Sequence, residues 1–180
     1  MTPTSAGRNP YGFLADLPTF TVTSTDAADG EELPAPQRGS MGGGQDLSPQ
    51  LGWSGQPANV QSYVVTMYDP DAPIPSGFWH WAVFNIPGDT TELPSGAGAA
   101  SSTSLPAGSG QLPNDLRMAH YLGPAPPPGP PHRYSIAVLA LDVPTLDQVT
   151  PDSTPAVLSF TTLGHILGYG LLVPIASPSG

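Results

Sequence analysis

The stretch that decides the fold runs from Ser62 to Ile86 and reads SYVVTMYDPDAPIPSGFWHWAVFNI. Its two ends, Ser62 to Tyr68 and Phe78 to Ile86, are aromatic and β-branched, which suits a pleated, half-buried surface. Between them lies Asp69-Pro70-Asp71-Ala72-Pro73. The prolines fix their own backbone dihedrals and hold two carboxylates in a stiff turn. Two strands bounded by a rigid acidic turn are therefore predicted. Strand alternation puts His80 on the face of Ala82 and Phe84, and the tryptophans at 79 and 81 on the other.

Working outward, Phe20 to Thr25 and Tyr134 to Asp142 read as further strands, the latter almost continuously apolar. Phe78 to Ile86 and Tyr134 to Asp142 are expected to be central. One helix is expected, near the C-terminus: Thr154 as N-cap, Pro155 at the first helical position, then Val157, Phe160, Leu163 and Leu167 at helical spacing up to Gly168 and Gly170. In this reading Phe160 and Leu163 pack inward, and Gly170 to Ile175 returns as a last strand. Length and the lack of internal repeats give a single domain over residues 1–180, with 1–16 as a loosely ordered arm.

Composition first argues against such order. With 25 prolines and 21 glycines, about a quarter of the chain is helix- and strand-breaking, which borders on low complexity. Yet hydrophobic residues make up 38% and charged residues only 10%, the reverse of a disordered chain. The breakers gather between the apolar runs. Leu93 to Gly110 and the glycines at 42–44 are accordingly expected to be flexible surface.

Charge excludes whole classes of function. Lysine is absent, and four arginines oppose fourteen acids for a net charge of −10. Nucleic acids and anionic bilayers both require a basic footprint, so neither is an expected partner. With no cysteine there is no disulfide, thiolate chemistry or cysteine-ligated metal. No apolar run reaches signal-peptide or membrane-span length, which makes a cytoplasmic protein without membrane insertion the expectation.

The polar residues worth weighing flank the strong strands. Asp69 and Asp71 follow the first, and His80 opens the second. His132 and Tyr134 sit two apart at a strand start and so share a face, with Arg133 on the other. Before them, Gly123-Pro124-Ala125-Pro126-Pro127 is an extended loop poor in backbone donors, where the Ala125 amide is one of the few free ones. If these groups converge, imidazole and phenol donors suit a phosphate or carboxylate oxygen, while a carboxylate orients a histidine or meets an ammonium. Taken singly, each histidine also has a purely structural reading, and the acidic turn could act merely as a cap.

Enzyme readings are weaker. Two His and two Asp are a legitimate zinc or manganese inventory, but no H-x-x-x-H or H-E-x-x-H spacing supports a metal-dependent hydrolase. Gly52-Trp53-Ser54-Gly55 fails the G-x-S-x-G elbow, and Gly42-Gly43-Gly44 lacks the Gly-Lys-Ser/Thr of a P-loop.

Asp69-Pro70-Asp71-Ala72-Pro73, Gly77-Phe78-Trp79-His80-Trp81, and Gly123-Pro124 with His132-Arg133-Tyr134 together resemble the signature blocks of phosphatidylethanolamine-binding proteins, also called Raf kinase inhibitor proteins. Ser48-Pro49-Gln50-Leu51-Gly52-Trp53 and Asn114-Asp115 resemble the bacterial branch, so the likeness spans roughly Leu17 to Leu172. It implies a mainly β fold: an antiparallel β-sandwich of a large central sheet and a smaller sheet, with a C-terminal helix. It also implies a non-enzymatic protein that needs no cofactor, with a pocket for a phosphate-like anion such as the phosphoethanolamine headgroup. By motif, that pocket comprises Asp69, Asp71, His80, Gly123, Ala125, His132 and Tyr134. Protein partners implied by the family are a kinase or protease, and a homodimer. The alternative within the resemblance is an inhibitor module that does not use the pocket. Ala125 stands where bacterial relatives carry cysteine, and Leu172-Val173-Pro174-Ile175 where many end in Gly-Thr-Tyr.

Overall fold

The computed structural model describes residues 9–178. Ten strands follow in order: β1 (Thr21–Thr23), β2 (Leu51–Ser54), β3 (Ser62–Asp69), β4 (Phe78–Pro87), β5 (Glu92–Leu93), β6 (Gly110–Gln111), β7 (His132–Arg133), β8 (Ser135–Leu141), β9 (Ile166–Leu172) and β10 (Ile175–Ala176). One α-helix, α1 (Pro155–Thr162), lies between β8 and β9. The strands build a five-stranded antiparallel sheet in the order β6-β4-β3-β8-β9, a three-stranded sheet β1-β2-β5, and the pair β10-β7. The fold is mainly β, as expected. The centre of the large sheet, however, is β3, with β4 and β8 on either side of it.

Both faces of that sheet are covered, which explains why β8 is buried at every position and β3 at all but one. On one face Tyr63, Val65, Met67, Trp81, Val83, Ile136 and Val138 pack against Val22, Leu51, Trp53 and Leu93 of the smaller sheet. On the other, Val64, Ala82, Phe84, Ala137 and Leu139 meet Leu112, Leu146, Leu158 of α1, and Tyr11 and Leu14.

Three expectations are corrected by this packing. Residues 1–8 of the anticipated loose arm lie outside the described residues, but Tyr11 and Leu14 are core, and the Tyr11 hydroxyl bonds Thr66 Oγ1 at 2.8 Å. The stretch Leu93 to Gly110 is not simply mobile surface: Leu93 and Ala97 are fully buried, and a Cβ at Gly98 would stand 2.7 Å from Tyr121 and 2.9 Å from Trp81. Small residues here let a loop press onto aromatic rings. Third, α1 begins as anticipated, with Thr154 Oγ1 accepting from the Val157 amide and Pro155 in the first turn, but it stops at Thr162. Its buried face is Pro155, Leu158 and Thr162. Val157 and Phe160 lie on the opposite side at about 100° per residue. They and Leu163 remain 45%, 74% and 50% exposed, while Leu167 belongs to β9.

Candidate functional site

The β3–β4 register places the first site residue. Met67 pairs with Trp81 and Tyr68 with Trp79, which leaves His80 without an opposite number. This one-residue bulge breaks the alternation expected from sequence. Trp81 joins the core with Met67, Trp79 meets Tyr68 with tilted rings 4.5 Å apart on the other face, and the His80 ring turns to Tyr134 (centroids 5.2 Å, edge-on) rather than to the face of Ala82 and Phe84. His80 Nδ1 donates to the Leu122 carbonyl at 2.8 Å, and the Leu122 amide returns to the His80 carbonyl at 3.0 Å. A carbonyl can only accept, so the Nδ1 proton is assigned by that bond. Burial pushes the His80 imidazole below its ordinary range, against the opposing pull of the Leu122 bond and the Asp69 charge.

Asp69 closes β3 and His132 opens β7. His132 Nδ1 meets Asp69 Oδ2 at 2.8 Å, with both side chains almost wholly buried. The other carboxylate oxygen, Oδ1, accepts the Asp71 amide at 2.8 Å, which is what the stiff Asp-Pro-Asp turn accomplishes. Tyr134 shares the His132 face and is buried, and burial followed by the Asp69 charge raises its phenol well above the ordinary tyrosine range. It therefore stays a protonated donor. β10 pairs with β7, Ala176 opposite His132, so the C-terminal strand backs this wall.

Asp69, His80, Gly123, Ala125, His132 and Tyr134 all line one cavity of about 300 Å³. Asp71 does not. Its carboxylate turns away to Arg133, taking Nε at 2.7 Å, Nη2 at 2.8 Å and the backbone amide at 3.0 Å. The hydrogen bonds from Arg133 hold the Asp71 carboxyl below its usual range. Spacing alone gave no sign that the exposed-face Arg133 would claim the second carboxylate.

The wall opposite is a backbone-on-backbone contact. Gly39 donates to the Pro124 carbonyl at 2.8 Å, and Gly123 donates to Asp46 Oδ1 at 2.8 Å. A Cβ on Gly123 would stand 2.4 Å from the Arg38 backbone, and one on Gly39 2.6 Å from the Gly123 carbonyl. The 42–44 glycines taken as flexible surface thus belong to a loop tied to the cavity, and that loop delivers Met41 to its rim. Met41, Ile74 and Leu116 are exposed there, with Phe78 and Leu122 deeper in. Sequence reasoning missed all five as lining residues: Met41, Ile74, Leu116 and Leu122 are isolated apolar residues in loops without periodic signal, and Phe78 is read there only as the start of its strand.

Among the described residues no three His, Asp or Glu side chains cluster as a metal site. No helix among them is long and apolar enough to cross a membrane.

A family model described as phosphatidylethanolamine-binding protein matches residues 23–175. UPF0098 protein YbhB of Escherichia coli K12 is 42% identical over 148 residues, covering 81% of this chain and 92% of its own. UPF0098 protein YbcL of the same organism is 41% identical over 162 residues, covering 88% and 83%. The crystal structure of E. coli YbcL, described as a member of the mammalian PEBP family, superposes with a TM-score of 0.84 at 37% identity over 89% of this chain and 99% of that one. A Chlamydia trachomatis homologue, CT736, gives 0.74 at 27% identity over 88% and 97%. The matched span runs from the end of β1 into β10 and includes every residue that lines the cavity floor, so the chain belongs to the phosphatidylethanolamine-binding protein family.

Proposed function

We infer that the protein is a non-catalytic, cytoplasmic binding protein whose cavity takes the phosphate-like or carboxylate head of a small ligand, with regulation of a protein partner as the output. The observation that carries this reading is the convergence of His80, His132 and Tyr134 on one cavity whose wall also holds the Ala125 amide. Among the described residues nothing accepts from that amide. A phenol, an unengaged amide and two imidazoles are groups that solvate an oxyanion. No lysine or arginine lines the cavity, so affinity is expected to be modest.

Titration calorimetry with inorganic phosphate and phosphoethanolamine near pH 6 tests it. Heat is expected from the wild-type chain, reduced heat from Tyr134→Phe, and none from a His80→Ala His132→Ala double variant. Silence in the wild type, or full binding by both variants, would sink the reading.

A second reading is favoured by α1, where Val157 and Phe160, and Leu163 just past its end, stand exposed. Such a patch suits a protein surface, whether a kinase, a protease or a second copy of the chain. It requires that a Phe160→Ser Leu163→Ser variant lose self-association or partner capture while anion binding persists.

A further inference from the structure

The proline-rich wall of the cavity cannot hold itself in place. Pro124, Pro126 and Pro127 have no amide proton, so residues 123–127 carry backbone donors only at Gly123 and Ala125. Among the described residues this stretch makes two hydrogen bonds, and both run to the loop over 38–46. Gly39 donates to the Pro124 carbonyl at 2.8 Å, and Gly123 donates to Asp46 Oδ1 at 2.8 Å. The first bond joins backbone to backbone. The second depends on one side chain.

Asp46 has the geometry for that task. Its backbone stands at φ 51°, a left-handed conformation that Asp, Asn and Gly tolerate and most other residues resist. Its amide donates to the Arg38 carbonyl at 2.9 Å and closes the loop at its base. The second carboxylate oxygen, Oδ2, accepts the Ser40 amide at 3.1 Å, one residue before Met41. Burial opposes ionisation of this carboxyl, but the hydrogen bonds from Ser40 and Gly123, with a smaller contribution from His120, hold it below its ordinary range. Gly39 lies against Ala125, since a Cβ there would stand 3.3 Å from the Ala125 Cβ. One carboxylate thus ties the wall that presents the Ala125 amide to the loop that presents Met41, although Asp46 itself lines no part of the cavity.

We propose that Asp46 is a positioning residue of the cavity: without touching a ligand, its carboxylate sets the Ala125 amide and Met41 relative to each other. Only its effect on affinity rests on the anion-pocket reading above.

The variants Asp46→Gly and Asp46→Asn separate the two bonds from backbone strain and from charge. Both tolerate the left-handed backbone, and both remove the negative charge. Asparagine keeps an oxygen acceptor for the Gly123 amide and gives up only the Ser40 bond, whereas glycine gives up both. Amide hydrogen exchange on the full chain, read by NMR, needs no ligand. Its reporter is the Gly39 amide, which bonds Pro124 and not Asp46. That amide is expected to exchange at least about tenfold faster in Asp46→Gly than in the wild type, and within about threefold of it in Asp46→Asn, while the amides of β3 and β8 keep their protection. Unchanged Gly39 exchange in Asp46→Gly overturns the proposal. General loss of protection in the sheet does the same, because Asp46 would then be a residue of overall stability.

Calorimetry with phosphoethanolamine at about pH 6 is the second arm. Removing a negative charge beside the cavity favours an anion by itself, so weaker binding cannot be a charge effect. Affinity is expected to fall at least about tenfold in Asp46→Gly and to stay within about threefold of the wild type in Asp46→Asn. Equal affinities in the two variants overturn the proposal and leave the anion pocket standing. If the wild type gives no heat, the anion-pocket reading falls, and Gly39 exchange still decides the role of Asp46.

Discussion

The cavity floor and helix α1 invert the usual sorting of side chains. The floor buries Asp69, His80 and His132, each at most 6% exposed, whereas α1 leaves Val157 and Phe160 in solvent. The difference lies in partners. The Asp69 carboxylate and both imidazole Nδ1 atoms have fixed ones: Asp69 holds His132 and the Asp71 amide, and Leu122 holds His80. Buried groups without such bonds are costly, so the floor exists only because chain segments far apart in sequence supply them. An exposed phenylalanine, by contrast, costs little and requires no structural answer. Burial of polarity is thus the more informative anomaly in this molecule.

Four measurements would break or sharpen that contrast, taken from the largest effect down. Asp69→Ala leaves His132 Nδ1 and the Asp71 amide without their acceptor, and is expected to cost about 4 kcal/mol in urea unfolding. A loss under about 1 kcal/mol would mean that the buried pair is not a structural element. On the helix, Leu158→Ala empties a fully buried site and is expected to cost about 3 kcal/mol.

The third measurement concerns pH. His80 in the folded chain is held below its ordinary value of 6.5, chiefly by burial. As pH falls through 6.5 the unfolded chain takes up the proton first, so the His80 contribution to stability is whole above that value. It is lost as pH drops toward the folded-state value. His80→Asn keeps a donor for the Leu122 carbonyl but cannot titrate, and urea midpoints in phosphate-free buffer should fall less steeply with acidification than in the wild type. Equal slopes would remove His80 from the acid response. Smallest of all, Phe160→Ala should change stability by no more than about 0.5 kcal/mol. A larger loss in a concentration-dependent assay would reveal a partner on α1.

Much of the site was legible because its rigidity is local. The Asp-Pro-Asp turn and the Gly-Pro-Ala-Pro-Pro loop are stiff through their prolines, and the His132-x-Tyr134 spacing survives in the structure with both residues on the cavity side. The N-cap of α1 was readable for the same reason, since Thr154, Pro155 and the Val157 amide are neighbours in the chain. His80 was chosen correctly as a lining residue but assigned to the wrong face, because the bulge arises from β3–β4 pairing and has no composition signal in β4. Asp71 was grouped with Asp69 for want of any clue that Arg133 would take it. The buried face of α1 was misjudged in a similar way. Its most hydrophobic stripe faces water, whereas Pro155, Leu158 and Thr162 are the buried positions, with Leu158 in the core beside the large sheet.

The amino-acid sequence by itself determined the strands over 20–25, 62–68, 78–86 and 134–142, the stiff turns, the helix start, the acidic charge and the family, all of which depend on residue type and short-range spacing. Tertiary structure alone decided which atoms those turns face. The His80 bulge, the diversion of Asp71, the glycine-to-glycine contact between residues 39 and 123, and the apolar rim around Met41 all depend on contacts between distant segments. The physical reason is directionality. Backbone stiffness and hydrophobicity are carried by each residue or its near neighbours, whereas a hydrogen bond acquires meaning only when the fold places a particular donor about 2.8 Å from a particular acceptor.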